Sequence, residues 1–307
     1  MSAGTKFYAP ATIADLGMGL GVISYAIDDL GVELVIKPAE ENEGLSVSFF
    51  VLKNEAFQAE LKSSLELLHA AFENQLGKKL NYHIDLTVRI PFNSGLNSKG
   101  SCLAAYLVAV NSLNKRPFEQ RQLFDFATST ISTLSAKDKL AFANALIGGL
   151  VVGYNGDSIS DYQRVSMPLG FTSTLLFNSK AEVSIENSDE INSDICSRRA
   201  NKAIQLSLAM YKSDFDRLDT ILQTDTELLD QAGLDAIQLK FCALASSLGC
   251  DFVFPDSMNA STLICMGMNS FKVGELAEQF KAVLKEEKQR NYKVMSVKHN
   301  YDGCYRY

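Results

Sequence analysis

A short loop between an apolar strand and a long helical segment carries the residue types most able to do chemistry in this chain. Residues 91–101 read PFNSGLNSKGS, and helical spacing of apolar residues follows at Leu103 and Leu107. Serine, asparagine and glycine tolerate unusual backbone angles and cap helices. Free amides and the positive end of a helix dipole would meet there, which predicts an anion site suited to phosphate. The alternative is an ordinary strand-to-helix turn with a serine N-cap.

The elements around this loop follow from the spacing of apolar residues. Leu86, Val88 and Ile90 alternate with polar neighbours as in a strand, and Pro91 ends it because proline cannot donate to a sheet ladder. Residues 22–30 fit a short helix or a strand. Further strands are expected at 32–36, 45–51, 151–154, 171–177, 252–254, 262–266 and 292–298, the last strand. Helices are expected at 57–76, 118–130, 137–150, 197–211, 214–223, 226–248 and 273–289.

Composition narrows the classes of function. The chain has 307 residues, a net charge of -7 and six cysteines without a CxxC pair. The negative net charge disfavours binding to nucleic acid or to an anionic membrane, so a small-molecule or protein partner is expected. The scattered cysteines predict reduced thiols in a cytoplasmic protein, and we expect neither a signal peptide nor a membrane span. A polar stretch at 155–161 suggests a boundary between two lobes.

Three segments, taken in order, resemble the GHMP small-molecule kinases, and homoserine kinase among them. APATIADLGMGLGVISYAI at 9–27 resembles the first motif of homoserine kinase, usually close to APA(S/T)xANLGPGFDxLGxAL. PFNSGLNSKGS at 91–101 resembles the phosphate loop, P-x-x-x-G-L-G-S-S-A-(S/A), and ANALIGGL at 143–150 resembles the helix end APALLGGF. The resemblance covers most of the chain.

The resemblance implies an α+β, two-lobed GHMP kinase fold with ATP and substrate between the lobes. The N-terminal, ATP-binding lobe with a left-handed βαβ unit would span 1–155, and a ferredoxin-like lobe would span 156–307. Homoserine or a similar small molecule would be the substrate, as in threonine biosynthesis, with Mg²⁺ as the metal; a homodimer is left open. The expected phosphate-binding residues are Ser94, Gly95, Leu96, Asn97, Ser98, Lys99 and Ser101.

The sequence departs from the family pattern where metal and substrate would bind. Asn97 replaces a glycine, and Lys99 replaces a serine that helps to hold Mg²⁺, so Lys99 either contacts a phosphate or faces solvent. Asp138 is the carboxylate in the window where the family carries a metal-binding Glu, unless it is a solvated ion-pair residue. Asp15 would hold a substrate ammonium. Residues 257–262, SMNAST, lack both glycines of the third motif, and no catalytic residue is assigned.

Two main hypotheses follow from these matches and departures. The first is an ATP-dependent kinase of the homoserine kinase type. The second is a catalytically impaired relative that keeps the cleft as a binding or regulatory module, with Lys99 supplying the counter-charge instead of Mg²⁺. A third hypothesis is a related kinase or decarboxylase with another substrate, since the substrate-side residues differ most.

Overall fold

The fold is described from a computed structural model of the chain. The description covers residues 4–14, 22–40, 43–91, 94–153, 156–166, 172–178, 193–214, 216–217, 220–221, 234–250, 252–255, 262–267 and 269–307. Asp15, predicted to hold the substrate, lies outside the described residues, as do residues 257–261 of the third motif.

The first lobe is built on a seven-stranded sheet in which neighbouring strands follow the order β11-β1-β2-β4-β3, with β5 and β6 attached to β2. Its strands are β1 (Thr5–Ala14), β2 (Ile23–Pro38), β3 (Leu45–Phe50), β4 (Tyr82–Val88), β5 (Leu150–Val152), β6 (Gln163–Val165) and β11 (Tyr305–Arg306). The segment at 22–30 is therefore strand and not helix. It continues without a break into the strand predicted at 32–36, because β2 is buried against other elements along most of its length.

Four helices pack with this sheet. They are α1 (Glu55–Leu76), α2 (Ser98–Leu113), α3 (Gln120–Thr130) and α4 (Ala136–Ile147). α1 joins β3 to β4, and these two strands are parallel, which is the βαβ unit that the resemblance implies. Leu61, Leu65 and Leu68 lie on one face of α1 and are buried, as the apolar spacing of 57–76 predicts. α2 contacts α4 and β1, so the loop before α2 is held between helices and sheet.

The second lobe is a four-stranded antiparallel sheet with helices. Its strands pair in the order β10-β7-β9-β8. They are β7 (Thr172–Asn178), β8 (Phe252–Pro255), β9 (Thr262–Gly267) and β10 (Tyr292–Val297), and the helices are α5 (Ser193–Lys212), α6 (Ala236–Ser247) and α7 (Ser270–Glu286). A core of its own forms around Phe241 and Phe280. The predicted α+β class with two lobes is confirmed.

The boundary between the lobes is not a single point near residue 155. β6, which follows that point, pairs with β5 in the first sheet, and β11 returns from the chain's end to pair with β1. The strand at 292–297 is therefore not the last strand. Strands of two or three residues are too short to show alternation in the sequence, so the prediction missed both.

Cys102, Cys242 and Cys304 are free thiols, as predicted. Cys102, Cys250, Cys265 and Cys304 are buried and Cys242 is partly buried. Burial alone raises the pKa of the Cys102 thiol, which keeps it protonated and inert. Among the described residues, every helix is too short or too polar to cross a bilayer.

Candidate functional site

The loop before α2 turns sharply into the helix through two residues in the left-handed backbone region. Gly95 has φ 72° and Asn97 has φ 52°. Asparagine and glycine are the residues that adopt this conformation most readily. Asn97 is the N-cap of α2, and its side chain makes no hydrogen bond to the helix. The alternative of an ordinary serine-capped turn is therefore wrong.

Asn97 and Ser101 fasten the loop to strand β1 instead. The Asn97 Nδ2 donates to the carbonyl of Thr12 at 3.0 Å and to that of Gly95 at 3.1 Å. The Thr12 amide donates to the Leu96 carbonyl at 3.3 Å, and the Ser101 hydroxyl donates to the Pro10 carbonyl at 2.7 Å. Ser101 is therefore a buried anchor for α2, with its hydroxyl engaged within the protein.

These anchors leave the first turn of α2 open. Within the described residues, the backbone amides of Ser98, Lys99 and Gly100 donate to no protein acceptor; the first amide with a partner is that of Ser101, at 3.5 Å from the Asn97 carbonyl. The hydroxyl of Thr12, on the strand bonded to the loop, is also buried without a partner. Unpaired amides at a helix N-terminus fit the oxygens of a phosphate group.

The loop also contacts the second lobe. Thr262, on β9, donates its hydroxyl to the carbonyl of Ser94, and both residues are buried. The Ser94 hydroxyl donates to the Pro91 carbonyl at 2.6 Å, which tightens the turn. The predicted phosphate loop therefore lies where the two lobes meet. Of the predicted set, Ser94 and Leu96 are buried parts of the turn, and Ser98 begins the helix.

Lys99 is neither solvent-facing nor free. Its Nζ lies 2.7 Å from Glu60 Oε1 on α1, and its side chain is 15% exposed while that of Glu60 is 58% exposed. Of the two alternatives for Lys99, the solvent-facing orientation is wrong, because its side chain is largely buried and its ammonium group binds Glu60 on α1. Its positive charge still belongs to the first turn of α2.

Asp138 has a local structural partner. Its carboxylate accepts hydrogen bonds from the Ser135 amide at 3.1 Å and hydroxyl at 2.8 Å, and its own amide donates to the Ser135 hydroxyl at 3.1 Å. This is a capping box that closes the N-terminus of α4. Across the described parts of the chain, no group of three or more His, Cys, Asp or Glu residues is arranged to hold a metal ion.

The segment 143–150 closes the first lobe against the chain's end. Gly148 has φ 72°, and a Cβ placed on it would lie 2.3 Å from the Gly303 amide nitrogen, so this contact requires glycine. In the middle of α4, the backbone nitrogen of Phe142 would lie 2.9 Å from a Cβ placed on Gly100. α2 and α4 therefore approach each other closely beside the open helix terminus.

A buried polar cluster links the two lobes, and no sequence pattern pointed to it. The Tyr25 hydroxyl lies 3.1 Å from the Ser173 hydroxyl and 3.1 Å from His299 Nε2. These residues belong to β2, to β7 and to the segment that returns to the first lobe. Burial raises the pKa of Tyr25, so the phenol stays protonated and can donate. The cluster fixes one side of the junction at which the loop lies.

Comparison with known proteins shows that the chain has the same fold as several kinases and decarboxylases. Residues 57–145, which include α1, the loop and α2, match the family model described as the GHMP kinases N terminal domain. The structure superposes on homoserine kinase from Cytophaga hutchinsonii with a TM-score of 0.81 at 18% identity, covering 100% of this chain and 98% of that one. The mevalonate diphosphate decarboxylase from Enterococcus faecalis, described with an ATP binding mechanism, gives a TM-score of 0.68 at 15% identity, covering 99% of both chains.

Sequence relatives match over a shorter stretch. Homoserine kinase from Chlorobium phaeobacteroides is 30% identical over 130 residues, which is 39% of this chain and 41% of that relative. Homoserine kinase from Xylella fastidiosa strain M12 is 23% identical over 221 residues, or 68% of this chain and 65% of that relative. The alignments thus span between about two fifths and two thirds of these relatives.

Proposed function

We propose that the chain is an ATP-dependent phosphotransferase of the homoserine kinase type, because residues 57–145 match the GHMP kinases N terminal domain and the fold is that of homoserine kinase structures. It would transfer the γ-phosphoryl group to the hydroxyl of a small amino acid such as homoserine, the step used in threonine biosynthesis. The observation that carries this proposal is the open N-terminus of α2, where the amides of Ser98, Lys99 and Gly100 have no acceptor among the described residues.

In this proposal the loop binds the nucleotide phosphates mainly through its backbone. The amides of the first turn would each donate to a phosphate oxygen, and the left-handed Gly95 and Asn97 keep the chain bent so that those amides converge. The Lys99 ammonium would add positive charge beside them while remaining paired with Glu60. ATP supplies the phosphoryl group; the protein supplies position and charge.

The test is a coupled assay with ATP, Mg²⁺ and homoserine. Phosphorylated product and ADP should form in equal amounts, and the rate should fall at least tenfold in Ser98→Asp, which places a negative charge at the open amides. Absence of product with the unchanged protein would contradict the kinase proposal. Homoserine-dependent ADP release without phosphorylated product would contradict it as well.

A second candidate function is a nucleotide-binding module that does not turn over. Two observations favour it: a lysine stands in the first turn of α2 where the family pattern has a serine, and the Asp138 carboxylate is engaged in capping α4. A lysine ammonium attracts phosphate and repels a cation, so nucleotide binding would not require Mg²⁺.

Calorimetry with ATP in the presence and absence of Mg²⁺ distinguishes the two candidates. The binding module predicts equal affinity in both conditions, and no product in the coupled assay. A strict requirement for Mg²⁺ would count against it. Product formation with a Mg²⁺ requirement would support the kinase and leave no role for the module.

A further inference from the structure

A cavity lies at the end of α2 that is opposite to the phosphate loop. It has a volume of about 690 Å³ and is bounded by the end of α2, the connection to α3, the start of α3 and strand β11. This volume is in the range of small-molecule sites. Asn111 lines it, and at 1.5 Å per helical residue Asn111 lies about 20 Å along α2 from Ser98. None of its lining residues belongs to the phosphate loop, so it is a separate site.

The walls of this cavity combine a rigid apolar floor with charged groups at its rim. Phe7 and Leu123 are buried. Phe118 packs edge-on against Phe72, at 5.3 Å between ring centroids, and in a tilted arrangement against Phe126 at 5.4 Å. Arg116, on the α2–α3 connection, and Arg306, on β11, both line the cavity. Among the described residues, the arginine that forms a salt bridge is Arg89, with Glu33, and neither Arg116 nor Arg306 has an ion-pair partner.

The charge of the lining selects the sign of a ligand. Arg116 and Arg306 contribute two positive charges and Glu119 contributes one negative charge, which leaves one net positive charge in an acidic protein. Guanidinium groups bind carboxylate and phosphate oxygens in a forked geometry. A small anion therefore satisfies both arginines, whereas a cation or a neutral ligand does not.

The connection that carries Arg116 is held in an unusual backbone conformation. Lys115 has φ 64° and Arg116 has φ 56°, and neither is glycine. The buried Asn111 fixes this turn: its Nδ2 donates to the Phe118 carbonyl at 2.8 Å, and its Oδ1 accepts from the Phe118 amide at 3.1 Å. The backbone of Arg116 is thus fixed before any ligand binds, which lowers the entropy cost of ordering this turn on binding.

From this arrangement we infer that the cavity between α2, α3 and β11 is a binding site for a small organic anion. The ligand carries one carboxylate or phosphate group, which binds Arg116 and Arg306, and a flat apolar body, which lies on Phe118. The ligand contacts β11, near the chain's end, and does not contact the phosphate loop. It would therefore act as an effector and not as a substrate. The inference does not depend on the proposed kinase function.

Calorimetry with three matched probes tests this site. Phenylacetate carries the carboxylate, phenyl phosphate carries the phosphate, and phenylacetamide has the same ring without charge. We expect at least one of the two anions to bind at millimolar concentrations or below and phenylacetamide to bind at least tenfold more weakly. The anion that binds more tightly identifies the class of ligand.

Variants locate the binding. The double variant Arg116→Gln, Arg306→Gln should weaken the anion at least tenfold, and Arg290→Gln, which changes an arginine outside the cavity lining, should leave it unchanged. Ser98→Asp should also leave it unchanged, which separates this cavity from the phosphate loop. Both arginines are exposed, so the double variant should melt at the temperature of the unchanged protein. No binding by either anion, equal binding by phenylacetamide, or full binding in the double variant would overturn the inference.

Discussion

Two helices of the first lobe, α2 and α4, pack against each other, but the backbone amides at their N-termini are treated in opposite ways. At α4, Ser135 and Asp138 pair with each other's amides, so the chain itself satisfies the helix terminus. At α2, the N-cap side chain of Asn97 turns back to Thr12 and Gly95, and the amides of the first turn have no acceptor among the described residues. When side chains of the chain accept from the first amides of a helix, those amides cannot bind a ligand. When the N-cap side chain bonds elsewhere, the amides remain available for an anion.

The starts of α1, α6 and α7 resemble that of α4 and not that of α2. Asn54 accepts from the Phe57 amide at the start of α1, Asp235 accepts from two amides of α6, and Asn269 accepts from two amides of α7. Capping by the chain is thus the usual arrangement in this molecule. Capping is absent at α2 because the Asn97 side chain bonds to Thr12 and Gly95 instead. The uncapped terminus lies next to the loop that contacts the second lobe.

The largest expected effect comes from placing a negative charge at the open terminus. Ser98→Asp and Ala136→Asp both put a carboxylate at the first residue of a helix, α2 and α4 respectively. Each should raise the free energy of unfolding by about 0.3–1 kcal/mol through the helix dipole. Only Ser98→Asp should weaken ATP, by at least tenfold, measured by calorimetry. Equal ATP affinity in the two variants would remove the distinction between the two helices.

The next effect concerns the contact between the loop and the second lobe. Thr262→Val removes the donor to the Ser94 carbonyl. Thr174→Val, on β7 of the same sheet, removes the donor to the carbonyl of Val273 on α7. Each variant loses one buried hydrogen bond and should lose about 0.5–1.5 kcal/mol in chemical denaturation. ATP affinity should fall several-fold in Thr262→Val alone. A similar fall in Thr174→Val would mean that general destabilisation, and not the loop, controls binding.

Removing the cap of α4 should affect stability without affecting the ligand. Ser135→Ala breaks the capping box and should lower the free energy of unfolding by about 0.5–2 kcal/mol. Calorimetry should show unchanged ATP affinity and an unchanged response to Mg²⁺. The same response is expected for Asp138→Ala, because its carboxylate caps the helix. If the Mg²⁺ response were lost in Asp138→Ala and kept in Ser135→Ala, Asp138 would be a metal ligand.

The smallest expected effect concerns Lys99. Lys99→Ala removes an ion pair whose carboxylate is largely exposed, so the free energy of unfolding should change by less than about 1 kcal/mol. Lys62→Ala, which removes an exposed pair with Glu66 on α1, is the matched control. Affinity for ATP without Mg²⁺ should fall a few-fold in Lys99→Ala only. No difference between the two variants would exclude a role for Lys99 at the phosphates.

The sequence was sufficient to locate the loop because its residue types act locally. Gly95, Asn97 and the start of α2 could be inferred from turn and helix preferences within a few residues. The orientation of Lys99 could not, because it depends on Glu60, which lies one helix earlier in the chain. The identity of the N-cap was also missed, since the left-handed conformation of Asn97 depends on its bonds to β1.

Contacts between distant segments left even less trace. Tyr25, Ser173 and His299 meet at the lobe junction, yet each lies in a stretch whose local pattern indicates only a strand or a strand end. β6 and β11 were missed because two or three residues cannot show alternation. The fold class and the lobes were recognised from motifs spread along the chain, whereas the lobe boundary required the pairing of strands.

The proposed function requires the amides at the start of α2 to bind phosphate. Amide proton and nitrogen chemical shifts recorded during an ATP titration test this directly. We expect the largest shifts at Ser98, Lys99 and Gly100, and unchanged shifts at Lys137 and Asp138 at the start of α4. Saturable ATP binding with unshifted amides at Ser98 to Gly100 would contradict it.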